Sequence, residues 1–138
     1  LGKKMIIKNL ELIEHGIIIK KKQDPTKFIE SWPKRTPENG RINWSTSNIE
    51  IDRLIRASTN PYPGAFTFFK DLKVKIWKAD LSLKFSSKPG QIMEINDLGV
   101  YVSTGNNSII LQDISINDDM RMKANVFFSK DDIGYILE

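Results

Sequence analysis

The sequence predicts an α+β fold that is mainly β: a small OB-like (oligonucleotide/oligosaccharide-binding-like) barrel of about five strands, preceded by helices. Three observations predict it. Apolar residues recur at helical spacing before Pro61, and beyond Gly64 the period switches to alternation. The alternating stretches are short, and turn residues at 97–99 and 105–107 separate them.

The elements follow in order. Residues 3–15 carry Ile6, Leu10 and Ile13 on one stripe, widened by Met5 and Leu12, and Gly16 stands where a left-handed residue ends a helix. Residues 17–19 read as a short strand, and Lys20, Lys21 and Lys22 as a solvated edge. Residues 23–40 hold Pro25, Pro33 and Pro37 and no sustained period, so they read as a linker. Phe28 and Trp32 are too apolar to stay in water and predict that this linker packs across the body. The boundaries expected are an end piece at 1–22, a linker at 23–44 and the barrel domain at 45–138.

Ser47 and Glu50 form a Ser-x-x-Glu capping box ahead of Ile51, Leu54 and Ile55, and Pro61 stops this helix around Ser58 or Thr59. Residues 65–69 and 72–83 read as a hairpin about Lys70 and Asp71. Leu72, Val74 and Ile76 share one face, whereas Trp77, Ala79, Leu81 and Leu83 fall on the other. A bulge near Ile76 and Trp77 reconciles the two halves. Strands follow at 91–96, 100–104 and 108–116, and a weak helix at about 123–129 closes the chain.

Composition excludes several classes of function. The chain has 138 residues, 40% hydrophobic and 28% charged, which suits one packed core. No apolar run approaches the about 18–20 residues that span a bilayer, and the opening residues lack a signal-peptide pattern, so no membrane partner is expected. Zero cysteines rule out disulfides and thiolate metal sites and suit a cytoplasmic protein. One histidine argues against a histidine-rich metal centre, and His15 itself reads as a surface or capping residue. The acidic pairs Asp118–Asp119 and Asp131–Asp132 lack a third ligand. A net charge of +4 fits an anionic partner or a mildly basic surface. The chain opens on Leu1 inside a helical pattern, as a fragment would.

No glycine fingerprint, phosphate loop or nucleophile elbow is present, and no catalytic residue is assigned. The candidate binding residues are Tyr62, Phe66 and Arg35. Pro61-Tyr62-Pro63-Gly64-Ala65-Phe66 combines two rigid prolines with a glycine, so Tyr62 offers a flat surface to a base or sugar ring, unless Tyr62 and Phe66 merely plug the barrel mouth. Arg35 offers a guanidinium fork to phosphate, or is an exposed linker charge.

The stretch Arg35-Thr36-Pro37-Glu38-Asn39-Gly40-Arg41-Ile42-Asn43-Trp44 resembles the 10-formyltetrahydrofolate-dependent formyltransferases. The Ile55-Arg56-Ala57 helix end, residues 61–67, Lys75-Ile76-Trp77-Lys78-Ala79, Lys88-Pro89-Gly90 and residues 102–111 carry the same resemblance. Their order matches the C-terminal part of methionyl-tRNA formyltransferase and of the sugar N-formyltransferases. Residues 34–44 and 61–66 look more like the sugar branch. The resemblance implies that residues 1–22 end an upstream Rossmann-like catalytic domain, the first helix being its remnant. It implies an Asn, His and Asp catalytic set and a 10-formyltetrahydrofolate pocket in that domain, none of which this segment holds. The implied parent formylates the amine of a nucleotide-linked amino sugar, and Tyr62, Phe66 and Arg35 line its acceptor side. The alternatives are a tRNA-binding barrel, with a basic stripe of Lys20–Lys22, Arg53, Arg56, Lys73, Lys75 and Lys78, or a non-catalytic homodimerisation module.

Overall fold

The computed structural model describes residues 2–17, 21–22, 24–27, 33–84, 87–117 and 119–138. The chain divides into two units, Leu1–Lys34 and Arg35–Glu138.

In the first unit α1 spans Gly2–Glu14. Its end follows from Gly16, whose φ of +69° lets the chain turn back. The Gly16 amide then donates to Ile13 O at 3.1 Å and the Ile17 amide to Leu12 O at 2.8 Å, the bond pair of a Schellman cap. A 3-10 turn covers Pro25–Lys27. Most of the strand expected at 17–19, together with Phe28 and Trp32, lies outside the described residues.

The second unit is the barrel. Its first helix, α2 (Asn48–Ser58), begins at the expected capping box: Ser47 Oγ accepts the Glu50 amide at 3.2 Å, and the Ser47 amide donates to Glu50 Oε2 at 3.0 Å. Ile51 and Ile55 are buried, Leu54 packs against the core, and Arg53 and Arg56 face solvent. Strands β1 (Ala65–Phe69) and β2 (Leu72–Ser82) pair antiparallel around Lys70 and Asp71. Both turn residues have positive φ, 47° and 66°, the geometry of the two-residue hairpin that matches strand twist. Strands β3 (Ile92–Asn96), β4 (Gly99–Ser103) and β5 (Ser108–Ile116) complete the sheet in the order β1-β2-β5-β4-β3. Val74, Ile76, Ile92, Val100, Val102, Ile109, Leu111 and Ile114 fill its inner face.

The expected bulge is real, and it is double. Ile76 faces Ile114 and Ala79 faces Leu111, while neither Trp77 nor Gln112 has a ladder partner. Each strand gains one residue at the same level, so both switch faces together and the core stays apolar.

The chain end differs from expectation. A two-residue strand, β6 (Met122–Lys123), pairs with β5, and α3 is a single turn, Ala124–Phe127. The helix does not close the chain. After a 3-10 turn at Lys130–Asp132, residues 134–138 run as a strap between the two sheet edges. The Gly134 amide donates to Ile92 O at 2.8 Å and the Ile92 amide to Tyr135 O at 2.9 Å; Phe68 and Glu138 exchange bonds of 2.9 and 3.1 Å. The strap therefore joins β3 to β1 and closes the barrel, which removes exposed edges. Its glycine, polar and aromatic composition gives no alternation by which a sequence reader would detect it.

The segment before α2 belongs to the same unit. The Ile42 amide donates to Phe66 O at 2.8 Å, and Ile42 and Trp44 are buried. Trp44 Nε1 donates to Thr67 Oγ1 at 2.9 Å, and that hydroxyl donates to Glu138 O at 2.7 Å. This relay satisfies the buried indole and ties the segment to the strap.

Candidate functional site

Strand alternation sends Val74 and Ile76 inward, and Lys73, Lys75 and Trp77 outward from β2. On β1 it sends Ala65, Thr67 and Phe69 inward and Phe66 and Phe68 outward, with Phe66 opposite Lys75 and Phe68 opposite Lys73. The outer face of this hairpin is thus built of cations laid on rings. Lys73 Nζ lies 3.9 Å from the Phe66 centroid, Arg41 Cζ 5.5 Å from that of Phe68, and Arg121 Cζ 4.1 Å from that of Trp77. Lys75 Nζ lies 5.9 Å from the Trp77 ring.

The turn at 59–64 rims this face. The Tyr62 amide donates to Thr59 O at 3.1 Å and the Gly64 amide to Ser58 O at 2.9 Å. Gly64 adopts φ +91°, and a Cβ there would meet the Trp77 ring at 3.0 Å, so its backbone rests on the indole. A Cβ on Gly40 would meet Gly64 O at 2.6 Å, which brings the segment after Arg35 against the same turn. The Asn60–Pro61 bond is cis.

The three residues singled out from sequence stand in different settings. Tyr62 is 64% exposed on the turn, as a stacking surface requires. Phe66 is only 2% exposed, beneath Lys73 and edge-on to Phe68, so it is a floor rather than a free ring. Arg35 is exposed, and no hydrogen bond or ion pair engages it among the described residues. No hydrogen bond or ring contact joins the three side chains. Sequence reasoning missed Trp77 and Arg121 as parts of the site; the pattern Lys73-x-Lys75-x-Trp77 was the available signal for the first, and nothing local marked the second.

The proposed basic stripe is interrupted. Arg56 is paired with Asp52 at 2.9 Å, and Lys78 lies beyond the bulge, opposite Asp113. Elsewhere Lys70 holds Asp132 at 2.8 Å, Lys123 holds Asp113 at 2.7 Å, and Lys84 pairs with Glu94. Lys70 beside Asp132 lowers that carboxyl's pKa below its ordinary value. Positive potential therefore concentrates on the compact β1–β2 face.

Among the described residues no group of three or more acidic or histidine side chains can hold a metal ion, and no helix is long and apolar enough to cross a membrane. A groove of about 450 Å³ is lined by Ile95, Asn96, Asp97, Asn125, Phe128, Ser129 and Lys130, and one of about 220 Å³ by Phe68, Lys70, Asp71, Tyr135 and Glu138. Neither is the enclosed apolar slot that a pterin ring would need.

The comparisons agree with this architecture. The chain is 34% identical over 123 residues to the methionyl-tRNA formyltransferase of Alkaliphilus oremlandii, covering 88% of this chain and 39% of that protein. It is 42% identical over 71 residues to the bifunctional polymyxin resistance protein ArnA of Wigglesworthia glossinidia brevipalpis, 51% of this chain and 11% of that one. The fold matches HypX from Aquifex aeolicus in complex with tetrahydrofolic acid at a TM-score of 0.68, with 20% identity over 90% of this chain and 22% of HypX. The chain spans about two fifths of the length of the methionyl-tRNA formyltransferases it matches. With residues 34–132 matching the family described as formyl transferase, C-terminal domain, and the barrel built as above, the chain belongs to the formyl transferase C-terminal domain family.

Proposed function

We propose that this chain is the acceptor-side portion of an N-formyltransferase that formylates the amine of a nucleotide-linked amino sugar. The observation that carries the reading is the compact cationic and aromatic face of β1–β2, rimmed by the exposed ring of Tyr62. A nucleotide needs one flat ring for its base and a few cations for its phosphates, and this face supplies both in a small area. Interruption of the stripe by the Arg56–Asp52 pair favours such a ligand over a long polyanion. The stronger identity to ArnA over its shorter match points the same way.

In this reading Tyr62 stacks on the base, Phe66 forms the floor, and Lys73, Arg121 and Arg35 meet phosphate oxygens. The formyl donor, 10-formyltetrahydrofolate, and the groups that handle the proton belong to a separate catalytic domain, because the barrel has no pocket for a pterin. When bound there, the donor supplies the formyl group that the acceptor amine attacks. This chain's residues bind and orient the acceptor. The enzyme works in the cytoplasm.

A second reading has a specific observation behind it. The methionyl-tRNA formyltransferases match over 90% and 88% of this chain, much more than ArnA does, and the same face can then hold tRNA phosphates. The test is formyl transfer from 10-formyltetrahydrofolate by this chain joined to its catalytic domain. The acceptors are UDP- and dTDP-linked 4-amino sugars and charged initiator tRNA. Transfer to a sugar supports the first reading; transfer to tRNA alone replaces it with the second.

A further inference from the structure

We propose that Trp77 is a positioning residue: its ring, aimed outward by the double bulge, holds the turn at 59–64 in the one shape that presents Tyr62. The inference rests on the proposed role of Tyr62 at the acceptor.

The bulge is the starting point. In a regular ladder each residue of β2 would face one of β5, yet Trp77 has no such partner, and alternation resumes on the opposite face at Ala79. A bulge costs ladder hydrogen bonds and is a device for re-aiming a side chain. Here the re-aimed side chain is an indole lying under Gly64, whose added Cβ would stand 3.0 Å from Cη2 and 3.1 Å from Cζ3.

The ring is fixed from three directions. Its Nε1–H donates to Ser115 Oγ at 3.0 Å, and Ser115 is 1% exposed, so the acceptor is itself immobilised. Arg121 covers the indole with its guanidinium carbon 4.1 Å from the centroid. The turn closes the third side, where Thr59 Oγ1 also donates to Trp77 O at 3.5 Å. Tyr62 is 64% exposed, so backbone contacts, not packing of its own ring, hold it in place. A flat residue held before its ligand arrives loses little freedom on binding, which raises affinity without any new contact.

The experiment compares Ser115→Ala and Trp77→Leu with the unaltered 138-residue chain. Amide hydrogen exchange is read at Tyr62 and Gly64 against core amides of β5, and UDP affinity by NMR titration. Ser115→Ala removes one oxygen and guards against loss of the fold in Trp77→Leu. The expected result is exchange at Tyr62 and Gly64 faster by about tenfold or more, with β5 amides unchanged. UDP affinity should fall several-fold, and Trp77→Phe, which keeps a ring beneath Gly64, should restore part of the protection. Unchanged protection of Tyr62 and Gly64 in the folded variants overturns the proposal. Loosened amides with no effect of Tyr62→Ala on UDP binding or formyl transfer support the positioning and overturn the acceptor role of Tyr62 instead.

Discussion

Asn48 Nδ2 donates to Ser108 O at 3.1 Å and to Ser82 O at 3.2 Å, so one buried amide in the first turn of α2 ties the helix to the ends of both β5 and β2. The Asn48 backbone amide meanwhile donates to Asn106 Oδ1 at 3.0 Å, which anchors the β4–β5 turn to the same helix end. Asn48 is 3% exposed, so neither carbonyl it serves has ready access to water. Asn48→Ala should destabilise the chain by about 2–3 kcal/mol, two buried acceptors losing their donor. Urea unfolding reads this; a loss under about 0.5 kcal/mol would mean that water replaces the amide.

The capping box makes stability depend on acid. The Ser47 amide, and next its hydroxyl, lower the pKa of Glu50 from its ordinary value of 4.5. A carboxylate with a depressed folded-state pKa contributes stability that is complete above 4.5 and disappears as pH falls through the lower folded value. Glu50→Gln should therefore flatten the stability profile below that pH while leaving the midpoint at pH 7 little changed. Ser47→Ala, which removes the cap itself, should cost about 1 kcal/mol at neutral pH. Denaturation midpoints from pH 3 to pH 7 check both.

Gly99 cannot be replaced cheaply. It has φ +139°, and a Cβ would stand 2.2 Å from Leu111 O, a backbone atom within the barrel. Gly99→Ala should destabilise by about 2 kcal/mol or more, because either β4 or β5 must shift. A melting temperature within a degree of the unaltered chain would contradict this.

Thr67→Val keeps the shape of a 0% exposed side chain and deletes its hydroxyl. Trp44 Nε1 then loses its acceptor and Glu138 O a donor. A loss of about 1–3 kcal/mol is expected, with faster exchange of the strap amides than of β4 amides. Equal protection of strap and β4 would show that the relay does not hold the strap.

The cationic face makes a functional prediction. Lys73→Ala and Arg121→Ala should each weaken UDP binding several-fold and reduce its salt dependence, with unfolding midpoints little altered. Titrations at low and high salt measure it. Unchanged affinity in both variants would remove this face from the acceptor site.

Much of the fold was legible because local signals agreed with one another. The Ser47–Glu50 box, the stop before Pro61, the Lys70–Asp71 turn and the bulge at Trp77 each rest on residues within a few positions, and each is present. β6 and the strap were not legible, since they pair with strands distant in sequence and carry no periodic pattern. The site was legible in part. Tyr62 could be chosen from its prolines and glycine, and its exposure agrees. Phe66 looked equally available, yet the cation over its ring and the Phe68 edge cover it, which no linear spacing reveals.

The sequence by itself determined the α+β class, the helix caps, the hairpin and the family, because these depend on short-range backbone preferences and on the order of motifs. Only the tertiary structure decided how the barrel closes and which cations meet which rings. Arg121 reaches Trp77 from the β5–β6 connection, Arg41 reaches Phe68 from ahead of α2, and Glu138 reaches Phe68 from the chain end. Such pairings cross between segments far apart in the chain, and folding sets them through packing of the core rather than through any preference of the residues that meet.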